Sequence, residues 1–418
     1  MAVTTQGFSS FSADAVTYIA EKTLIIAKKA VVFQQLGEKH VLPAHNSKTF
    51  QFTRFDRLAL PLTTLADGVT PDNTSMSIST VTAVADMFGA YVNLTDVANL
   101  TIKHPVMVKA IDLMGYQAAE VMDREIINML LAGTAVNYGG AATARNGLSS
   151  TSTDVMNTAL VRKVVASLRT NGAQEYDGSD YVGVVDSQVE MDLSADSTFQ
   201  AAAQYSNIKV LQNGEIGRWM GVRWMRSNFI PTLSGITSTN ASATGASAAG
   251  SIPAASVWFS VDYIDANTGF TVKSVVPAST YAAAASNSSG SLTVTVPSST
   301  SFNYNVYAGS GASSLYLVNS SLLAGAASQA VTAIPSAGTL QPGIPASTKV
   351  VHFSWVFGKE SFAVIDLLKL QTFITPAQAS DSDPLVQRRK SGWKFMFKSV
   401  ICNQDFLKRC ETLSAFDA

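Results

Sequence analysis

The chain has 418 residues, of which 47% are hydrophobic and only 14% charged, with a formal net charge of −1 at neutral pH. That length exceeds what one hydrophobic core usually serves, so two or more domains are expected. A near-zero charge without a basic tail excludes a protein that grips nucleic acid by counterion release, and so few charges imply that much of the surface faces other protein.

No apolar run reaches the roughly eighteen residues of a membrane span, and the opening MAVTTQGFSSFSADA has neither the basic nor the apolar region of a secretory signal. The expectation is a protein made and kept in the cytosol. Cys402 and Cys410 are the only cysteines, too few for a disulfide scaffold and not spaced as metal ligands, so they read as reduced structural thiols.

In chain order, Ser12-Ala13-Asp14 caps an expected helix through about Glu38, with Val16, Ile19, Leu24, Ala27, Val31 and Leu36 near helical spacing. It reads either as core or as an arm that docks on a neighbouring subunit. KTFQFTRFDRLAL (48–60) alternates like a half-exposed strand, and a second strand-like run covers Met76–Thr95. Between them, PLTTLADGVTPDNTS is rich in turn formers and forms the expected tip of a long hairpin. Unpaired edges on such a hairpin would invite aggregation in a monomer.

His104-Pro105 opens the longest expected helix, which runs to about Ala132 and stops at Gly133. Met107, Ile111, Met114, Ala118, Val121 and Leu130 form its apolar stripe, leaving Asp112, Glu120, Asp123, Arg124 and Glu125 for a solvent or partner face. No second helix offers matching His or Glu ligands, so these charges read as a charged helix face rather than a carboxylate site. After a Gly/Ala/Ser/Thr loop, TALVRKVVASLRT (158–170) is an amphipathic helix ending at Asn171-Gly172. Tyr181–Asp186 reads as a buried strand, Gln188–Tyr205 as a helix, and Asn207–Arg226 as strands, an order that indicates a mixed α/β domain.

Between Pro231 and Lys349 the only Asp, Glu, Lys or Arg residues are Asp262, Asp265 and Lys273. This contrast marks an inserted module. Val257–Tyr263, Phe270–Val276, Leu292–Val296, Asn303–Tyr307 and Ser314–Val318 are β-prone runs separated by Gly, Ser, Asn and Pro, the pattern of a small immunoglobulin-like or fibronectin-like sandwich. Thr237–Ser251 and Ala282–Ser291 read as flexible loops. Insertion midway through a chain requires adjacent ends and a surface position.

Chemistry is sparsely signalled. His40, His45, His104 and His352 are scattered, and HExxH, GxSxG and phosphate-loop patterns are missing. No catalytic, cofactor or metal residue is assigned, and a non-enzymatic protein is expected.

The motifs GEIGRWMGVRW (214–224), VFGKESFAVIDL (356–367), LQTFITPAQASDSDPLVQRRKSGWKFMF (370–397) and ICNQDFLKRCET (401–412), preceded by ADGVTPDNTSMS and FGAYVNLTDV, occur in one order along the chain. In that order they resemble the major capsid proteins of tailed bacteriophages, in the N-four-like branch, over most of the chain outside the insertion. The resemblance implies an α+β Hong Kong 97-type capsid fold. On that reading residues 1–43 are an N-terminal arm and helix, 44–98 the extended loop and peripheral strands, and 99–153 the spine helix and its following loop. Residues 154–231 begin the axial domain, 232–348 are the β-rich insertion, and 349–418 complete the axial and peripheral domains.

The implied function is a major capsid protein that self-assembles as pentamers and hexamers into an icosahedral virion shell in the host cytoplasm and encloses double-stranded DNA without sequence-specific binding. A portal and scaffolding or decoration proteins are the further partners, with no membrane and no cofactor. The segment before the first hairpin is too short for a large built-in scaffold, so a separate scaffold or none is expected. Asp381, Asp383, Arg388, Arg389 and Lys390 form the densest charged cluster. Its ordinary reading is a solvated loop with ion pairs of about 0–1 kcal/mol each; the functional reading is intersubunit pairing that sets register. With Asp67 and Asp72 in the hairpin tip, these are the candidate intersubunit contacts. The alternative is a surface or tail adhesin whose β-rich insertion binds a glycan.

Overall fold

The computed structural model describes residues 32–41, 47–55, 58, 60, 62, 64, 68, 73–95, 106–176, 178, 180–200, 217–236, 242–246, 252, 256–281, 291–345, 349–374, 385 and 387–417. Two compact units emerge: Met1–Gly133 with Lys359–Phe406, and Thr134–Gly358 with Leu407–Ala418. In chain order the strands begin with β1 (Glu38–Val41), β2 (Thr49–Phe55), β3 (Ile78–Val84), β4 (Asp86–Thr95), β5 (Val136–Tyr138), β6 (Tyr181–Val185), β7 (Arg218–Trp219) and β8 (Val222–Arg226). Next come β9 (Thr232–Ile236), β10 (Ser242–Ala246), β11 (Ser256–Asp265), β12 (Thr271–Val275), β13 (Ala278–Tyr281), β14 (Ser291–Thr295), β15 (Phe302–Gly309), β16 (Leu315–Leu317) and β17 (Ser328–Val331). The last are β18 (Val350–Phe357), β19 (Phe362–Ile374), β20 (Arg388–Ile401) and β21 (Leu407–Thr412). The helices are α1 (Val106–Leu131), α2 (Thr158–Thr170) and α3 (Ser187–Ala195).

In the first unit, β1, β19, β20 and β4 make one sheet in that order. Helix α1 packs on β20 through a stripe of Ile111, Met114, Ala118, Met122, Ile126 and Leu130, all buried as their i, i+3/i+4 spacing requires. On the sheet side Trp393, Phe395 and Phe397 alternate inward, with Trp393 stacked on Phe395 at 5.2 Å and Phe88 in the same cluster. Each such burial contributes about 1.5–3 kcal/mol. β2 and β3 pair antiparallel from Thr49↔Val84 to Phe55↔Ile78, and Ala83, Phe50 and Phe52 seat the base of this hairpin against Ile365.

Three expectations change here. The Met76–Thr95 run is two strands, parted at Ala85 and assigned to different sheets. Two-residue periodicity persists across such a break, so alternation alone cannot reveal it. The expected first helix does not reach Glu38: Phe33–Gln35 is a 3-10 turn, and Glu38–Val41 pairs parallel with β19. Gly37 separates them, because a Cβ there would lie 2.6 Å from the Phe362 ring. The remainder of that expected helix lies outside the described residues. Asp123, read as facing solvent or a partner, is fully buried and accepts the Val32 and Phe33 N–H groups at 2.9 and 3.2 Å.

In the second unit a twelve-stranded sheet follows the order β16-β15-β11-β12-β9-β18-β6-β8-β7, with β13 beside β11, β21 beside β18, and β5 beside β21. Asn157 caps α2 by accepting the Leu160 N–H at 3.0 Å, and Leu160, Val161, Val164, Val165 and Leu168 form its buried stripe. The helix expected over Gln188–Tyr205 is broken rather than continuous: α3 ends at Ala195, Asp196 is extended, and helix resumes over 197–200, while 201–205 lie outside the described residues. The Asp196 carboxylate accepts the Thr198 N–H as an N-cap does, and also the Thr158 N–H.

The low-charge segment contributes to two sheets. β10, β14 and β17 form a three-stranded sheet whose Leu292, Val294 and Val331 share a core with Val257, Val261, Tyr304 and Val306. β10 falls inside the stretch read as a flexible loop; it pairs with β14 over five residues, a stabilisation its Ser/Ala/Thr/Gly composition does not announce. The opposing layer is not separate. β9 is hydrogen-bonded to β12 on one side and to β18 on the other, so the sheet runs from the insertion into the strands around it, and Ser234 sits opposite Val350 where the segment's two ends meet.

Candidate assembly surfaces and buried ionic sites

Apolar side chains left in solvent mark surfaces that require a partner. In the first unit Leu58, Leu60, Leu62, Met76 and Ile78, on and beyond the hairpin arms, are all more than half exposed. On the sheet face opposite α1, Met87, Tyr91 and Phe373 are exposed too. Gly89 and Gly392 leave a groove of about 420 Å³ there, bounded by Tyr91, Phe373, Lys390 and Lys394. The Lys394 ammonium lies 4.8 Å from the centre of the Phe373 ring, a contact that holds a cation over an aromatic face.

Of the candidate contact residues, Arg388, Arg389 and Lys390 open β20 rather than a loop, paired in register with Thr95, Leu94 and Asn93 of β4. Lys390 is exposed beside the groove. Asp67, Asp72, Asp381 and Asp383 lie outside the described residues. Among the described residues, no group of three or more His, Cys, Asp or Glu side chains could hold a metal, and no helix is long and apolar enough to cross a membrane.

Sequence reasoning missed two buried ionic clusters in the second unit. In the first, Glu411, fully buried on β21, accepts from Arg145 Nε at 2.6 Å and Nη2 at 2.7 Å, while Arg409 Nε lies 2.9 Å away. Arg145 also donates to the Gly343 carbonyl, and Gln341 two residues earlier donates to Ser260 and Asp262. Burial works against the Arg145 charge, but Glu411 outweighs it and holds the guanidinium above its ordinary value. Burial lowers Arg409, with Glu411 opposing and Arg145 reinforcing the fall. Desolvation pushes Asp262 up to about 6, against hydrogen bonds from Ser274 and Gln341.

The second cluster centres on His352, fully buried in β18. Its Nδ1 meets Asp186 at 2.5 Å and its Nε2 meets Asp417 at 2.7 Å. Asp186 also caps α3 by accepting the Val189 N–H. Partners 166 and 65 residues away leave no spacing signal in the sequence. The only available clue was a histidine within the otherwise uncharged, mostly apolar run VVHFSWVF, since a buried polar side chain must find partners.

Residues 26–292 match the family model described as phage capsid protein. The chain belongs to the phage capsid protein family. No curated protein sequence matches it significantly. Among solved structures, the capsid of the cyanophage P-SCSP1u aligns with a TM-score of 0.51 at 12% identity, covering 91% of this chain and 88% of that one. The capsid of Ralstonia phage GP4 aligns with a TM-score of 0.50 at 11% identity, covering 92% of each. At such identities the likeness is one of fold, and the fold of this capsid protein is the Hong Kong 97 type, α+β with few helices and many strands. The adhesin alternative is not favoured, since the family model that matches residues 26–292 is that of a phage capsid protein.

Proposed function

We propose that this capsid protein is the major subunit of a tailed-phage head, assembling as many copies, in pentamers and hexamers, into a closed icosahedral shell around double-stranded DNA. The observation that carries the reading is membership of the phage capsid family on a chain whose fold matches phage capsids over 91–92% of its length. Its role is geometric rather than catalytic. The exposed Leu58, Leu60, Leu62, Met76 and Ile78 bury themselves on a neighbouring subunit, and the Tyr91–Phe373 groove receives apolar side chains from another copy. Obligate interfaces of this kind bury about 2,000–5,000 Å² each, which holds a shell against internal pressure without covalent links. Asp67, Asp72, Asp381 and Asp383 pair across subunits with basic groups such as Arg388, Arg389 and Lys390, fixing register more than affinity.

The near-neutral chain confines DNA without gripping it. A portal completes the assembly in the host cytoplasm, and the insertion, whose ends meet at Ser234 and Val350, lies on the shell exterior. Electron microscopy of negatively stained protein expressed alone tests this. Shells, tubes or capsomer rings are expected; a monomer that stays monomeric with scaffold and portal added would overturn the reading.

A further inference from the structure

His352 lies where four segments meet. It sits on β18 opposite Thr232 of β9 and Thr412 of β21, with Asp186 at the end of β6 on one ring nitrogen and Asp417 on the other. A neutral imidazole carries one N–H and one bare lone pair, so it can donate to only one carboxylate and would turn its lone pair toward the other. Two ionised carboxylates, one on each nitrogen, fit only an imidazolium that donates twice. Asp192 of α3 is the third acidic group acting here: it feels both His352 and Asp417, and accepts the Ala415 N–H at 3.1 Å. The facing residues of β9 and β21 are uncharged threonines.

We infer that His352 is a standing cation at the centre of an ionic latch, whose charge holds the 414–417 turn against β18 and α3 and whose deprotonation frees that turn. Without the proton, His352 keeps one acceptor, and Asp417 or Asp186 becomes a buried carboxylate facing a lone pair, which costs far more than leaving it in water. Asp417 is the member free to leave, because Asp186 stays fixed by its capping bond to Val189. The latch therefore opens toward alkaline pH. Burial opposes the imidazolium, and the two carboxylates outweigh it, which agrees with this direction.

The test uses the full chain with ¹⁵N-labelled histidine, the His352 resonances being identified by their loss in His352→Gln. His352 is expected to keep both ring nitrogens protonated at pH 7, where an unperturbed histidine is about 76% neutral, and Asp417→Asn should lower its midpoint by about one unit or more. Amide exchange of Ala415 and Phe416, corrected for its intrinsic pH dependence, should accelerate about tenfold or more once His352 deprotonates, and should be fast at every pH in Asp417→Asn. A single-N–H tautomer at pH 7, which would mean that a carboxyl holds the proton instead, overturns the inference. So does a midpoint unmoved by Asp417→Asn, or tail exchange indifferent to the titration. If His352→Gln fails to fold, Asp417→Asn and the exchange data still decide.

Discussion

Replacing Glu411 by Gln removes one negative charge from a place where water cannot follow. The carboxylate is fully buried, takes both of its bonds from Arg145 at 2.6 and 2.7 Å, and lies 2.9 Å from Arg409. Glutamine offers one acceptor and a donor in the same volume, so one Arg145 bond is lost, the amide N–H₂ faces a guanidinium, and Arg145 is left with Asp262 as a more distant counter-charge. Breaking a buried pair by removing one partner costs about 3–5 kcal/mol. For a unit of this size each kcal/mol lowers Tm by roughly 2–4 °C, so a fall of roughly 6–20 °C is expected. Scanning calorimetry of the full chain measures it, and assembled yield should fall in parallel. Arg145→Gln combined with Glu411→Gln should lose less than the sum of the two single changes, since each already abolishes the pair. A drop under about 2 °C in a clean transition, or strict additivity, would refute the view that this cluster ties Gly343 and β21 together.

Stability should rise as pH falls through about 6. Asp123 and Asp262 are both pushed up to about 6 by burial, so their folded pKa values exceed the unfolded ones; the stability gained by protonation is complete below 3.8 and lost as pH rises through about 6. Asp154 and Asp196 run the other way. Burial raises them but hydrogen bonds from Ser149, Ser150 and Thr158 prevail, so their contribution disappears as pH falls below 3.8. Thermal unfolding against pH should therefore peak near pH 3.8 and decline from there to about 6, and Asp123→Asn with Asp262→Asn should flatten that decline. Gly183→Ala would place a Cβ 2.5 Å from the Trp224 ring and 2.9 Å from Val222, an overpacking worth about 1–3 kcal/mol that chemical denaturation reads directly. Excising residues 237–348 keeps β9 on the edge of β18, whereas excising 232–348 strips it. Particles seen by electron microscopy are expected only from the first, and equal behaviour of the two would show that β9 is not needed to cover β18.

Local pattern decided much of what can be read residue by residue. The 3.6-residue spacing of Leu160, Val161, Val164 and Leu168 and the cap at Asn157 specify α2 without reference to anything distant. Alternation specifies β2, and a charge-poor, turn-punctuated stretch specifies short strands, because period and composition act on neighbours in the chain. The ordered motifs outside the insertion, from ADGVTPDNTSMS to ICNQDFLKRCET, carry the resemblance to phage capsid proteins without reference to any contact.

Tertiary structure alone decided which strands pair and which polar groups meet. Nothing in Thr232–Ile236 states that it bridges β12 and β18 and so merges the insertion's sheet with that of its host, since pairing is chosen by hydrogen bonds between distant segments, Ser234 with Lys273 across 39 residues and with Val350 across 116. Asp123 sits among helix charges that read as solvent-facing, yet it is buried by a turn some ninety residues earlier. Glu411 finds Arg145 across 266 residues, and His352 finds Asp186 across 166. A buried charge must be satisfied, but its partner is whichever group the fold delivers, and that choice has no local signature.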